Sequence, residues 1–147
     1  MNDLDGFLAE TQPRLSAELE ALHNGDANPQ LESWSTQDPV TLFGAKVPLR
    51  SGWNEVSETL RWLASRWSNC TDQRLDLVAA GVSGDLAYMV GFEHIANSVV
   101  GVPVEPYTLR VTHIYRRENG EWKIAHRHAD RVPIDQTLPA DASMKET

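Results

Sequence analysis

The chain has 147 residues, of which 41% are hydrophobic and 23% are charged, so it can form one domain with a hydrophobic core. Acidic side chains number 21 against 13 basic ones, a formal charge of −8 that repels phosphate backbones and excludes a nucleic-acid partner. No apolar run reaches the roughly 18 residues of a membrane-spanning helix, and the acidic start MNDLDGFLAE lacks the apolar segment of a secretory signal.

The first predicted helix spans residues 13–23, PRLSAELEALH, where leucines recur at the i, i+4, i+7 spacing of an amphipathic helix. This apolar stripe contains Leu15, Leu19 and Leu22. Thr11 and Pro13 are typical of a helix start, and the segment HNGDANP ends the helix. Residues 3–10 are compatible with an extra turn before Pro13.

Residues 29–50 contain frequent turn-forming residues and no persistent period, which predicts a loop with one short strand or turn around residues 40–43. A second helix is predicted in GWNEVSETLRWLASRW, residues 52–67, where apolar residues recur at steps of three and four. Ser51 is available as its N-cap. The stripe of this helix contains Trp53, Val56, Leu60, Leu63 and Trp67.

Beyond Cys70 the chain is rich in β-branched and aromatic residues, and four strands are predicted, separated by SGD, VGVPVEP and NG. They are RLDLVAAGV, DLAYMVGFEHIANSVV, PYTLRVTHIYRRE and EWKIAHRHADRV. Two helices followed by an antiparallel meander indicate an α+β fold with the helices packed on one face of a curved sheet. We expect a single domain over residues 1–135 and a C-terminal tail over residues 136–147.

Side chains alternate between the two faces of a strand, so residue size predicts which face is buried. In the strand of residues 85–98 the even-numbered side chains are bulkier and are expected to face the helices: Leu86, Tyr88, Val90, Phe92 and His94. In the strand of residues 107–117 the odd-numbered set is expected there: Tyr107, Leu109, Val111, His113 and Tyr115. Two histidines, His94 and His113, are thus predicted beside apolar rows on the inner face.

The register of the last hairpin depends on the turn at Asn119-Gly120. A two-residue type I′ turn would place His113 opposite His126. A three-residue turn with a bulge would shift the register by one and place Arg127 on the face of His113. The first register is favoured because it buries the large apolar residues of the last strand, and both remain open.

Three histidines lie in VTHIYRRENGEWKIAHRHADR, residues 111–131, with two of them spaced as H-x-H. A catalytic zinc site usually needs three oriented protein ligands, and this spacing is weakly specific, so no metal is expected. An imidazole beside a phenol can instead transfer protons near neutral pH. The candidate catalytic residues on this ground are His94, His113 and Tyr115.

Two stretches, SWSTQDPVTLFGA (33–45) and YTLRVTHIYRRENGEWKIAHRHAD (107–130), resemble the SnoaL-like, ketosteroid-isomerase-like branch of the NTF2-like superfamily. The second stretch also resembles the association domain of calcium/calmodulin-dependent protein kinase II. The resemblance extends from about residue 4 to residue 132. It implies an α+β cone, with N-terminal helices on a strongly curved antiparallel sheet, that encloses a deep pocket. It also implies a homodimer through the outer face of the sheet.

From the resemblance we expect a protein that binds an apolar or polyketide-like molecule in the cone pocket. If it is an enzyme, it would be an isomerase, cyclase or lyase that works by proton transfer without a metal or other cofactor. The alternative is a non-catalytic association module similar to a kinase hub. A single cysteine, Cys70, allows no intrachain disulfide and favours a cytoplasmic location. The expected ligand contacts are Trp34, Phe43, Trp53, Trp67, Tyr88, Phe92, Val111, His126 and Arg127.

Overall fold

A computed structural model of the chain describes residues 2–133. The expected tail over residues 136–147 lies outside these residues. The helices are α1 (Asp3–Leu22), α2 (Asn28–Ser33) and α3 (Trp53–Arg66). The strands are β1 (Thr41–Phe43), β2 (Arg50–Ser51), β3 (Trp67–Ser83), β4 (Leu86–Val99), β5 (Val102–Pro103), β6 (Tyr107–Glu118) and β7 (Glu121–Arg131). Within residues 2–133, no helix combines the length and the apolar character that crossing a membrane requires.

Helix α1 starts ten residues earlier than the sequence predicts, at Asp3 rather than Pro13, and continues through that proline. Its N-cap is Asn2, whose Oδ1 accepts a hydrogen bond from the backbone N–H of Asp5 at 2.7 Å. Proline in a helix interior removes one backbone hydrogen bond. Burial of Phe7 on the first half of the helix compensates for this loss, because its ring packs against aromatic side chains of the sheet.

The predicted loop of residues 29–50 holds a short helix, α2, in addition to β1 and β2. Pro29 in its first turn is compatible with a helix start, a signal that the dense turn residues obscured. Helix α3 agrees with its predicted span. Its N-terminus is capped by Asp38 rather than Ser51, since the Oδ1 of Asp38 accepts from the N–H of Trp53 at 3.0 Å.

The strands form one sheet in the order β2-β1-β7-β6-β4-β3, with β5 paired to β4. Strand β1 runs parallel to β7, so the sheet is mixed rather than wholly antiparallel, and it is curved without closing into a barrel. Helices α1 and α3 cover one face of this sheet, which is called the inner face below. The architecture is therefore α+β, as predicted.

The inner face of β6 carries the predicted odd-numbered side chains, but the prediction for β4 was wrong. Paired residues of neighbouring strands share a face, and Met89 of β4 pairs with His113 of β6. The odd-numbered residues of β4 are therefore buried, whereas Leu86 and Tyr88 are 54% and 45% exposed. Side-chain size failed as a guide partly because this face must take a glycine at position 91, where a Cβ would lie 2.5 Å from the carbonyl oxygen of Asp76.

The β6–β7 hairpin combines features of both predicted registers. Its turn has two residues, Asn119 and Gly120, both with positive φ, as a type I′ turn requires. A bulge at Ala125 then shifts the register, so that His113 pairs with Arg127 rather than with His126. The expected His113–His126 pairing was therefore wrong. One extra residue in β7 allows Trp122, Ile124 and Arg127 to share the inner face.

Candidate functional site

A cavity of about 550 Å³ lies between the inner face of the sheet, the C-terminal half of α1, helix α3 and the segment that follows β1. This size suits a small organic ligand. Its walls are mainly apolar and include Leu19, Leu22, Leu42, Leu60, Leu63, Trp67 and Leu109. Polar side chains also line it, among them His23, Gln30, Tyr107 and Arg127.

The deepest charged group of the cavity is the guanidinium of Arg127. Its Nη1 and Nη2 donate to the two carboxylate oxygens of Glu93 at 2.7 and 2.9 Å, and Glu93 is fully buried. Burial alone would raise the pKa of Glu93, but the charge and hydrogen bonds of Arg127 hold that pKa below its ordinary value. Burial likewise opposes the charge of Arg127, and Glu93 raises its pKa above the ordinary value. Both side chains are therefore ionised.

His113 lies directly behind Arg127 and is completely buried. Its Nε2 is 3.1 Å from Nη1 of Arg127, and because arginine only donates, Nε2 must accept. The proton then sits on Nδ1, which donates to the Tyr115 hydroxyl at 3.1 Å. Burial and the neighbouring guanidinium lower the pKa of His113 to about 3. Both ring nitrogens are engaged, so this imidazole buttresses Arg127 and does not open into the cavity.

His23, which sequence reasoning missed, presents a ring nitrogen to the cavity. It is the C-cap of α1, and its Nδ1 lies 2.7 Å from the carbonyl oxygen of Leu19. A carbonyl accepts, so Nδ1 carries the proton, and the lone pair of Nε2 meets no hydrogen-bond donor within residues 2–133. The ring stacks on Trp67 with centroids 4.3 Å apart, and burial lowers its pKa. His23 is thus a neutral, oriented base at neutral pH.

Two further polar groups of the lining are Tyr107 and Gln30. Burial raises the pKa of Tyr107 to about 12, so its hydroxyl remains a hydrogen-bond donor at neutral pH. Gln30 is 1% exposed, and its Oε1 has no hydrogen-bond partner among the described residues. The cavity therefore offers several donors around one basic nitrogen, an arrangement that can stabilise negative charge developing on a ligand oxygen.

The structure places the sequence-predicted site residues in different parts of the fold. Trp67 and Arg127 line the cavity; Val111, His113 and Tyr115 lie buried beneath its floor, and Trp53 is half-buried against the core. On the opposite, outer face lie Phe43, Tyr88, Phe92, His94 and His126. Trp34 is 1% exposed and borders a second groove, about 900 Å³ in volume, between α1, α2 and the β6–β7 turn.

The expected inner position of His94 was wrong because it belongs to the even-numbered set of β4. Its Nε2 lies 2.8 Å from Oδ2 of Asp76 and its Nδ1 lies 2.9 Å from Oγ1 of Thr108, both across the outer face. His126 is also there, 2.7 Å from the hydroxyl of Thr41. The sheet therefore separates these two imidazoles from His113. Across residues 2–133, no three His, Cys, Asp or Glu side chains are grouped in a way that could hold a metal ion.

Glu18 on α1 is a buried acid beside the second groove. It is 1% exposed, neither carboxyl oxygen has a hydrogen-bond partner within the described part of the chain, and burial raises its pKa to about 8. The folded protein therefore keeps a proton that the unfolded chain releases near pH 4.5. This contribution to stability is complete below the unfolded pKa and is lost as the pH rises towards 8.

We expect the free energy of unfolding to fall by about 1 kcal/mol between pH 7 and pH 8, because the extra proton of the folded state falls from about nine-tenths to about one-half occupancy in this window. Urea denaturation at several pH values measures the slope. Glu18→Gln should flatten it, whereas Glu20→Gln, an exposed neighbour on the same helix, should leave it unchanged. Equal slopes in wild type and Glu18→Gln would contradict the assignment.

The chain is similar in sequence to a known domain family and to a known protein. The profile of a family described as a SnoaL-like domain matches residues 14–135. The F-box protein SKIP8 of Arabidopsis thaliana is 26% identical over 102 residues, which are 69% of this chain and 41% of that protein. The chain thus spans less than half the length of this relative.

Several solved structures are similar in fold. An NTF2-like family protein from Streptomyces avermitilis that carries the name of a dehydratase is 24% identical, with a TM-score of 0.71 over 88% of this chain and 98% of that one. A ketosteroid isomerase-like protein from Erwinia carotovora atroseptica is 18% identical, with a TM-score of 0.72 over 90% and 99%. A protein from Thiobacillus denitrificans named for the association domain of calcium/calmodulin-dependent protein kinase type II is 17% identical, with a TM-score of 0.70 over 84% and 96%. At these identities the likeness shows the fold alone.

Proposed function

Because the chain belongs to the SnoaL-like domain family, we propose that it binds a small molecule in the 550 Å³ cavity and transfers a proton on it. The reaction class is that of an isomerase or dehydratase acting on an apolar or polyketide-like carbonyl compound. One observation carries the proposal: the free Nε2 of His23 and the guanidinium of Arg127 line the same cavity, while both are fixed from behind. A cytoplasmic location, inferred from the single cysteine, belongs to the same proposal.

In the proposed reaction His23 Nε2 takes a proton from a carbon next to the ligand carbonyl. The C–H bonding electrons move towards the carbonyl oxygen, where N–H groups of Arg127 and the hydroxyl of Tyr107 stabilise the negative charge. Return of this proton from His23 to another carbon gives isomerisation. Its transfer from His23 to a β-hydroxyl, as that C–O bond breaks and the double bond forms, releases water and gives dehydration. No metal or other cofactor takes part.

Arg127 can serve this role because its orientation is fixed before a ligand binds. Its contacts to Glu93 and His113 use three of the five N–H groups that an arginine carries, which leaves two for a ligand. His113 and Tyr115, which the sequence indicates as catalytic, are assigned here as positioning residues, since each acts through Arg127. His94 takes no part, because it lies on the outer face.

Exchange of α-protons for deuterium tests this function directly. Wild-type protein is incubated in D₂O with a panel of cyclic enones, β-diketones and β-hydroxyketones, and exchange is followed by proton NMR. We expect exchange above the buffer rate for at least one compound, together with a change in tryptophan fluorescence, because Trp67 forms a wall of the cavity. Absence of both signals across the panel would contradict the proposed function.

We also propose that the outer sheet face joins two copies of the chain. Large apolar side chains are exposed on this face, whereas most apolar side chains of the inner face are buried. Phe43, Leu86, Tyr88 and Ile114 are 39%, 54%, 45% and 40% exposed. An exposed apolar patch of this kind is typical of an association surface, and a second copy of the same face would cover it.

An aspartate at Ile114 should raise the dimer dissociation constant at least about 30-fold, because a charge would be buried at the centre of the interface. Light scattering coupled to size-exclusion chromatography across a dilution series measures the effect. Val102→Asp is the matched control, since Val102 is 62% exposed on β5, outside the patch. A monomeric wild type, or equal dissociation of both variants, would exclude this interface.

A further inference from the structure

Most of the basic side chains around the cavity differ from the majority elsewhere in that they form no ion pairs with carboxylates of the described residues. Residues 2–133 contain 12 lysines and arginines, and seven of them form ion pairs with carboxylates. The five without such a pair among the described residues are Lys46, Arg50, Arg61, Arg66 and Arg131. Three of these five, Lys46, Arg66 and Arg131, line the cavity.

The same lining is poor in acids, although the chain as a whole is acidic. Among the described residues only Glu105 contributes an acidic side chain to the lining, against the three unpaired bases and Arg127. Glu93 neutralises Arg127 from behind, so the deep end of the cavity carries no net charge. Lys46 and Arg131 are exposed, which places the excess positive charge at the mouth.

Two of the mouth cations are held in place without being neutralised. The guanidinium of Arg66 lies over the Trp62 ring at 4.8 Å, and that of Arg131 lies over the Tyr107 ring at 4.8 Å. Stacking on an aromatic face orients a guanidinium and leaves its N–H edges available to an anion. Positive charges kept in this way, on a protein of net charge −8, indicate selection for a negatively charged ligand.

From this arrangement we infer that the ligand is an amphipathic carboxylic acid. Its carboxylate lies at the mouth among Lys46, Arg66 and Arg131, and its apolar chain enters between the leucines of α1, α3 and β6. A carbonyl group along that chain then reaches Arg127 and His23 at the deep end. This inference rests on the proposed function, because it names the ligand class of the same cavity.

Three ten-carbon probes that differ only in their head group test the inference: decanoate, decanol and decylamine. Dissociation constants are measured by tryptophan fluorescence and by isothermal titration calorimetry. We expect decanoate to bind at least about tenfold more tightly than decanol, and decylamine to bind more weakly than both. Raising the salt concentration from about 20 to about 500 mM should weaken decanoate binding several-fold and leave decanol binding unchanged.

Paired variants with the same change in charge localise the effect. Arg66→Gln with Arg131→Gln should reduce the preference for decanoate over decanol to about threefold or less, since two of the three mouth charges are lost. Arg50→Gln with Arg61→Gln removes two unpaired bases that do not line the cavity and should leave the preference intact. Equal binding of decanoate and decanol to wild type would overturn the ligand class while leaving cavity binding in place. If none of the three probes binds, the inference is wrong, whereas the exchange assay with the carbonyl panel still decides the proposed function.

Discussion

Replacing Glu93 with Gln is expected to lower the free energy of unfolding by about 3–5 kcal/mol, the typical cost of removing one partner from a buried ion pair. Glu93 is 0% exposed, and both of its carboxylate oxygens accept from Arg127. The glutamine keeps the shape of the side chain but leaves the guanidinium charge without a counter-ion in a region of low dielectric constant. For a chain of this length the loss corresponds to a Tm lower by roughly 6–20 °C.

Guanidinium chloride denaturation measures the change, and two further variants identify its cause. Glu121→Gln removes a carboxylate that pairs with Lys123 and is 62% exposed, so it should cost at most about 1 kcal/mol. Replacing both Glu93 and Arg127 with Met should recover most of the stability, because no buried charge then remains. Equal stabilities of Glu93→Gln and Glu121→Gln would show that the pair is not buried in solution.

A His23→Gln variant should reduce the rate of α-proton exchange by about 10²–10⁴-fold, the usual contribution of a positioned general base. Glutamine has no basic nitrogen at neutral pH, yet it can still donate to the Leu19 carbonyl that orients His23. Affinity for decanoate should stay within about threefold of wild type, because Lys46, Arg66 and Arg131 are untouched. A large loss of rate with little loss of binding separates the role of a base from a role in ligand contact.

The pH dependence provides a second readout for His23. Burial lowers its pKa below the ordinary 6.5, so the neutral, basic form should predominate at pH 7. We therefore expect the exchange rate to rise with pH through that lowered pKa and to be level above about pH 7. His128→Gln, an exposed histidine on the outer face, should change neither rate nor profile. An unaltered rate in His23→Gln would assign the proton transfer to another group.

The strands were predictable because apolar alternation and the Asn-Gly turn are local signals. The two-residue turn at Asn119-Gly120 and the buried odd-numbered face of β6 both agree with the sequence. The orientation of β4 was not predictable from size, because bulky apolar residues such as Leu86 and Tyr88 can cover an outer face as well as a core. Pairing with β6 decides which set is buried, and that pairing is not encoded within β4 itself.

The site was predicted only in part. The sequence indicates His113 and Tyr115 as inner-face residues, and both are buried there. It leaves open whether Arg127 would meet them, because only one of the two predicted registers places Arg127 on the face of His113, and in the structure the bulge at Ala125 produces that arrangement. His23 was missed because it lies in a segment that ends a helix, where polar residues usually face solvent. Its one local signal is the spacing of four residues from Leu19, which continues the buried stripe of α1 by one position.

The bulge at Ala125 also determines how the last strand of this chain must be aligned with the sequences of its relatives. In a relative whose last strand runs straight, an alignment without a gap equates the cavity residue Arg127 with a residue of the outer face. A gap of one position at residue 125 restores the correspondence, and His126 then aligns with another outer-face residue. Conservation scores computed without that gap would record variability at the position on which the chemistry of the cavity depends.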